Sequence, residues 1–195
     1  MGMLFYSPQI WTSDNTDPYA RVYIQYGASY AYPVSAASCH FTRGECTTGR
    51  ESTYDFRYRV AKFGSYGYEL DLSEYSAEDK AAFKRYSEDY RKDEDLNLSG
   101  DLYRLISPRS DHFCAYIKVS KDKNKAQLTF LELHASGFVE TTTLKMKGLD
   151  PNKAYRIEET GQILHGSTLM NVGLRIGDLY RAKRENGYTL TFYAV

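Results

Sequence analysis

The sequence has no excess of either charge and no long apolar segment. Its 25 lysine and arginine residues balance 25 aspartate and glutamate residues, so the formal net charge is zero. Because the basic residues are scattered, the sequence does not indicate a nucleic-acid or anionic membrane partner. No apolar run approaches the roughly 20 residues that cross a bilayer, and the amino terminus lacks the pattern of a signal peptide. We therefore predict a cytoplasmic protein without nucleic-acid or membrane partners.

Cysteine is scarce as well. The chain has three, an odd number, and no Cys-x-x-Cys pair, which favours free thiols in a reducing compartment. A metal site would have to combine Cys39, His40 and Cys46 with His112 or His134, and that spacing matches no standard zinc pattern. The sequence therefore predicts neither a metal nor a cofactor.

The opening segment is the most informative part of the chain. An apolar run leads through Trp11 to two carboxylates three residues apart, Asp14 and Asp17, and Pro18 follows at once. The pattern predicts a buried strand over residues 3–10 and a helix that begins at Pro18 with Asp17 as its N-cap. Asp14 would then lie at the carboxyl end of a strand, where α/β enzymes place their chemistry.

Two interpretations of this segment stay open on spacing alone. A carboxyl group beside an indole can be partly desolvated, which raises its pKa towards that of a general acid. Asp14 is then a catalytic candidate. Alternatively, Ser13, Asp14 and Asp17 are loop and cap residues, and Trp11 is a core aromatic.

A longer motif favours the catalytic interpretation. The run Ser13-Asp14-x-x-Asp17-x-x-x-Arg21 resembles the S-D-x-x-D-x-x-x-R signature of glycoside hydrolase family 36, the retaining α-galactosidases. Further blocks resemble that family, in family order, over nearly the whole chain. They include Ile24-Gln25-Tyr26-Gly27, Thr48-Gly49-Arg50, Phe63-Gly64-Ser65-Tyr66-Gly67-Tyr68-Glu69, Gly100-Asp101-Leu102-Tyr103-Arg104-Leu105 and Leu144-Lys145-Met146-Lys147-Gly148-Leu149-Asp150-Pro151.

The resemblance implies a reaction and assigns roles in it. Asp14 aligns with the acid/base of a retaining α-galactosidase that acts on melibiose- or raffinose-type α-galactosides. Asp17 and Arg21 align as supporting residues, Trp11 would form a wall against the sugar, and Ser13 belongs to the signature. Two further candidates for substrate contact are His40 and Arg50, near the loops that approach the pocket. Family members are often oligomers, so the parent enzyme is expected to be a homo-oligomer.

The resemblance also implies that the chain is a fragment. The family nucleophile is an aspartate in a Lys-Trp-Asp segment that precedes this region, and no such segment occurs here. A retaining glycosidase needs two carboxyl groups about 5–5.5 Å apart. We therefore predict that this chain alone is inactive.

The predicted architecture is α/β plus all-β. Residues 1–106 are expected to form about units six to eight of a (β/α)8 (TIM) barrel, and residues 107–195 a C-terminal antiparallel β-sandwich. The first part alternates strands and helices. Predicted strands cover residues 3–10, 38–41 and 68–72, with helices from residue 18 and over 52–62 and 76–92. Predicted strands of the second part cover residues 113–119, 126–133, 141–146, 154–158 and 188–194.

Two other classes of function remain as alternatives. A β-sandwich with surface tyrosines is a common platform for a non-catalytic carbohydrate-binding module. In the second alternative, the domain over residues 107–195 seals the barrel and joins subunits. Within the enzyme class, the family also includes α-N-acetylgalactosaminidases and transferases acting on raffinose-type sugars, so the exact substrate stays open.

Overall fold

The chain folds into two compact units, Met1–Leu98 and Ser99–Val195. A computed structural model describes residues 2–43, 50–134, 143–175, 177 and 187–195. The predicted boundary at residue 107 differs from this division, because Asp101–Ile106 forms a strand that pairs with Phe113–Val119. These backbone hydrogen bonds place the segment in the second unit.

The first unit alternates helices with a two-stranded parallel sheet. Its helices are α1 (Pro18–Ala28), α2 (Tyr54–Ala61), α3 (Ala77–Lys92) and α4 (Glu94–Ser99), the last of which runs into the boundary, and its strands are β1 (Ser38–Thr42) and β2 (Ser65–Glu69). Strand β2 begins three residues before its predicted start, because Ser65 already pairs with Ser38. The pairing continues residue by residue to Glu69, which lies opposite Thr42.

Local capping explains where the helices begin. The Asp17 carboxylate accepts a hydrogen bond of 2.9 Å from the backbone N–H of Tyr19, and Pro18 occupies the first turn, where its missing N–H costs nothing. At α3, Ser76 and Asp79 cap each other's backbone N–H groups. The predicted starts of both helices are confirmed.

The predicted strand over residues 3–10 is wrong. Gly2–Phe5 forms a short 3-10 helix, and only Ile10 pairs, in a parallel bridge with Ala37. Pro8 has no N–H to donate to a ladder, and the Phe5 side chain is 87% exposed. In the described part of the chain, no neighbouring strand covers this segment.

Side chains of β1 alternate between two faces. Cys39 and Phe41 are fully buried, and Phe41 lies in an aromatic cluster with Phe83 and tyrosines from the helices and β2. Because successive side chains of a strand point to opposite faces, His40 lies on the other side. That side carries the candidate site.

The second unit contains an antiparallel six-stranded sheet in the order β3-β4-β5-β10-β7-β8 and a small β6-β9 sheet. Its strands are β3 (Asp101–Ile106), β4 (Phe113–Val119), β5 (Lys125–Glu132), β6 (Thr143–Leu144), β7 (Ala154–Ile157), β8 (Ile163–His165), β9 (Leu174–Arg175) and β10 (Gly187–Ala194), with α5 (Gly166–Asn171) between β8 and β9. Leu144 and Leu174 of the small sheet join Phe130 and Phe192 in one core. The prediction of antiparallel strands is confirmed. Asn186, the first residue of an Asn-Gly pair that is typical of a type I′ hairpin turn, lies outside the described residues.

Two glycines with a positive φ allow the effect of backbone strain on stability to be compared with that of a steric clash. Gly148 and Gly161 adopt φ values of 78° and 72°, which disfavour any residue with a Cβ. A Cβ on Gly148 would lie 2.1 Å from the Tyr103 ring, whereas one on Gly161 would meet nothing within 4 Å. We expect Gly161→Ala to lower the free energy of unfolding by about 1 kcal/mol and Gly148→Ala by about 2 kcal/mol more. Urea denaturation measures both, and equal losses would contradict the clash.

Candidate functional site

The loop that carries the candidate acid is tied to its surroundings by Arg21. This side chain is almost fully buried and donates to the carbonyl oxygens of Ser13 at 2.8 Å and Ser38 at 3.1 Å. It also donates to the Thr12 hydroxyl at 3.1 Å. The guanidinium fork therefore joins α1, β1 and the loop.

A second tie holds the far side of the same loop. The Thr42 hydroxyl, at the carboxyl end of β1, donates to the Thr16 carbonyl oxygen at 2.7 Å. Ile10 precedes the loop and is fixed to the start of β1 by hydrogen bonds of 2.7 and 3.0 Å with Ala36 and Ser38. The loop between Ile10 and α1 therefore runs along β1.

Asp14 is exposed and bonded to the indole beside it. The Trp11 indole N–H donates to Oδ1 of Asp14 at 2.9 Å. The described residues leave this carboxyl group exposed, and the indole meets it with its N–H. The sequence correctly paired the two residues but not the kind of contact.

His40 lies under Trp11. The two rings stack with their centroids 4.4 Å apart and their planes at 14°. On the neighbouring strand β2, Glu69 brings Oε2 to 2.9 Å from Nε2 of His40. The ring N–H is not aligned with that oxygen, so neither ring nitrogen has a hydrogen-bond partner among the described residues. Glu69 was missed in the sequence, although strands paired in parallel would have placed it beside β1.

His40 is neutral near pH 7. Burial lowers its pKa to about 4, and the positive charge of Arg21 acts in the same direction. The nearby Glu69 carboxylate would by itself favour the imidazolium. Its side chain is 42% exposed, so water screens this attraction, and burial outweighs it.

The remaining predicted residues lie around this cluster. Asp17 is buried as the cap of α1, and the Ser13 hydroxyl accepts a hydrogen bond of 3.1 Å from the backbone N–H of Asn15. The Arg50 guanidinium lies over the ring of Tyr19, 3.3 Å from its centroid. The structure therefore brings Trp11 and His40 together with Asp14, and it gives Asp17 and Ser13 local structural contacts.

A cavity of about 590 Å³ lies beyond the carboxyl ends of β1 and β2. Its walls include Arg43, Tyr54, Arg57, Glu74 and Tyr75. Arg43 pairs with Glu74, and Arg57 donates to the carbonyl oxygens of Thr42 and Ser52. Its cations are thus already engaged, and its lining residues include none of Trp11, Asp14, His40 and Glu69.

The considered metal site has no geometric support. Cys39 and His40 are neighbours on β1 and point to opposite faces, and Cys46 lies outside the described residues. Within the described ranges, no three His, Cys, Asp or Glu side chains are arranged to hold a metal ion. None of the described helices combines the length and apolar character that a bilayer crossing requires.

Comparison with known proteins bears on both units. The melibiase family profile matches residues 1–100, and the glycosyl hydrolase family 36 C-terminal domain profile matches residues 113–187. The chain is 37% identical over 174 residues to the bifunctional α-galactosidase/sucrose kinase AgaSK of Mediterraneibacter gnavus, which covers 89% of this chain and 19% of AgaSK. It is 37% identical over 176 residues to α-galactosidase AgaA of Geobacillus stearothermophilus, which covers 90% of this chain and 24% of AgaA.

Solved structures give the same result. The galactosidase domain of AgaSK superposes with a TM-score of 0.91 at 35% identity, over 100% of this chain and 27% of that one. An AgaA variant in complex with raffinose superposes with a TM-score of 0.92 at 34% identity over the same shares. The chain thus spans about a fifth to a quarter of the length of the relatives that it matches. The matched profiles and the S-D-x-x-D-x-x-x-R motif together establish that this chain belongs to glycoside hydrolase family 36, whose relatives here are α-galactosidases.

Proposed function

We propose that this chain supplies the acid/base of a retaining α-galactosidase, with Asp14 in that role. The observation that carries the proposal is the exposed Asp14 carboxyl, placed on a braced loop beside β1 within the family signature. Asp14 would protonate the departing glycosidic oxygen and then deprotonate the water that releases galactose. The nucleophile would come from polypeptide that precedes this segment in the whole enzyme.

The proposed architecture follows from the two units. We propose that the first unit is the last part of a (β/α)8 barrel, since its parallel strands are flanked by helices. The second would be the C-terminal β-sandwich, supported by its two antiparallel sheets with a shared core. The buried free thiols of Cys39 and Cys114 support the predicted cytoplasmic location. A homo-oligomeric whole enzyme stays a prediction.

The proposed substrates are raffinose-type α-galactosides. Structures of AgaA variants at 34% identity to this chain are in complex with raffinose and with stachyose. Arg21 and Asp17 have structural roles in the proposal, because their polar atoms bond the loop and the helix start. Ser13 would shape the same loop, and a direct contact of Arg50 with substrate has no support in its position over Tyr19.

The test compares the 195-residue chain with the whole enzyme, meaning the protein in which this chain is joined to the amino-terminal part that bears the nucleophile. We expect the whole enzyme to hydrolyse raffinose and to release galactose first as the α-anomer, which proton NMR detects. The chain alone should give no turnover of raffinose or p-nitrophenyl α-galactoside. First release of the β-anomer, or turnover by the chain that Asp14→Asn abolishes, would contradict the proposed mechanism.

A further inference from the structure

We infer that Trp11 and His40 are positioning residues for the Asp14 carboxyl group: the indole N–H selects the oxygen that carries the proton, and the imidazole holds the indole. The inference rests on the proposed role of Asp14 and adds to it the device that orients the acid. Two observations carry it, namely the hydrogen bond from the Trp11 indole to Asp14 and the stack of the Trp11 and His40 rings.

The hydrogen bond distinguishes the two carboxyl oxygens. The indole Nε1–H is a donor only, so the oxygen that receives it must act as an acceptor in both protonation states of Asp14. Trp11 donates to Oδ1 at 2.9 Å. The carbonyl oxygen of a carboxylic acid accepts better than its hydroxyl oxygen, so in the acid form this bond favours the proton on Oδ2. An exposed carboxyl group without such a bond rotates almost freely about its last torsion, and the bond removes that freedom.

The ring stack keeps the indole in place. Trp11 is 52% exposed, and exposed side chains are seldom fixed by their own packing. His40 supplies a buried platform for one face of the indole at 4.4 Å. It lies on β1, which pairs with β2 on one side and meets Ile10 on the other. Through this stack, the position of the indole depends on β1, which is paired on both of its edges.

The contacts of the imidazole itself indicate that its ring face is what the site uses. Nδ1 is buried without a hydrogen-bond partner in the described part of the chain, and Nε2 lies 2.9 Å from the Glu69 carboxylate without hydrogen-bond geometry, so no hydrogen bond to a described residue fixes the ring. Among the described aromatic side chains, Trp11 is the one that stacks on His40.

The neutral state of His40 suits this role. A cation close to a carboxyl group favours the ionised form and so opposes a general acid, which must hold its proton. Burial and the charge of Arg21 keep the pKa of His40 at about 4, while the screened Glu69 carboxylate acts weakly against them. The platform is therefore aromatic and uncharged at the pH at which the acid works.

The kinetic test uses variants of the whole enzyme and two leaving groups. A sugar leaving group needs protonation, whereas p-nitrophenolate leaves with little help. We expect Trp11→Phe and His40→Ala to lower kcat for raffinose by about tenfold or more, and kcat for p-nitrophenyl α-galactoside by less than about threefold. KM should change little for either substrate. His40→Phe keeps a flat ring and should restore most of the activity on raffinose.

The alternative to positioning is a direct contact with the sugar. If Trp11 only forms a wall of the pocket, KM rises for both substrates alike, and that result overturns the inference. Equal loss of activity in His40→Phe and His40→Ala also overturns it, since the ring would then not be the property that matters. Should Asp14→Asn itself leave hydrolysis of raffinose intact, the proposed function fails instead.

Tryptophan fluorescence tests the stack of Trp11 on His40 without measuring activity. Trp11 is the single tryptophan of the 195-residue chain, so its fluorescence reports on this site alone when it is excited selectively over tyrosine. We expect His40→Ala to shift the emission to longer wavelength as water reaches the uncovered face, and His40→Phe to keep the original position. The exposed His134 serves as the control, and His134→Ala should change nothing. Unchanged emission in His40→Ala overturns the stack.

Discussion

Replacing Asp14 with asparagine is expected to reduce kcat/KM of the whole enzyme for raffinose by about 10³-fold. General acid–base catalysis typically contributes 10²- to 10⁴-fold, and an amide neither donates this proton nor accepts it back from water. The indole N–H that now binds Oδ1 at 2.9 Å can still bind the amide oxygen, so the loop should keep its shape. Steady-state kinetics on raffinose and p-nitrophenyl α-galactoside measure the effect, and the loss should be smaller for the activated substrate.

Asp17 provides a matched control three residues away. It is buried as the N-cap of α1, where asparagine caps about as well as aspartate. Asp17→Asn should therefore lower kcat/KM by less than about threefold. If Asp17→Asn were the severe change and Asp14→Asn the mild one, the roles assigned to the two carboxylates would have to be exchanged.

Replacing Arg21 with methionine is expected to lower the free energy of unfolding of the chain by about 4 kcal/mol. The guanidinium donates to the carbonyl oxygens of Ser13 and Ser38 and to the hydroxyl of Thr12. Hydrogen bonds to charged groups contribute about 1.5–3 kcal/mol each and do not simply add. Methionine keeps most of the buried volume but leaves these oxygens without their donor. Urea denaturation followed by circular dichroism gives the difference.

Replacing Arg21 with lysine tests whether stability depends on the positive charge or on the planar shape of the guanidinium group. An ammonium group keeps the positive charge but is a compact point donor, and it does not reproduce the planar fork that reaches the loop and β1 together. Arg21→Lys should therefore lie between the wild type and Arg21→Met in stability. A loss in Arg21→Met of no more than about 0.5 kcal/mol, as for an ordinary surface change, would show that the loop does not depend on this side chain.

The parts of the fold that the sequence predicted well are those governed by local chemistry. The start of α1 follows from Asp17 and Pro18, and that of α3 from the Ser76–Asp79 capping box. Both devices act within four residues, so no knowledge of distant contacts is needed. The family assignment was also available from the sequence, because the blocks that carry it are contiguous.

The parts that failed depend on partners far away in the sequence. Apolar residues over 3–10 suggest a strand, but a strand needs a neighbour to receive its hydrogen bonds, and only Ile10 has one. The second unit begins before the predicted residue 107, because Asp101–Ile106 forms a strand only together with its partner β4. In the site, the pairing of His40 with Trp11 and Glu69 required the register of β1 and β2.

The position of β10 has a consequence for how the protein is made. This strand comes last along the chain, yet it lies between β5 and β7 in the middle of the six-stranded sheet. During synthesis, β3 to β5 and β7 to β8 leave the ribosome first, so the facing edges of β5 and β7 have no backbone partner in this sheet until residues 187–194 appear. The first unit can complete its contacts while translation continues, at about 5–20 residues per second. The second must wait for residues 187–194, and a premature stop before residue 187 would leave the facing edges of β5 and β7 without their hydrogen-bonding partner.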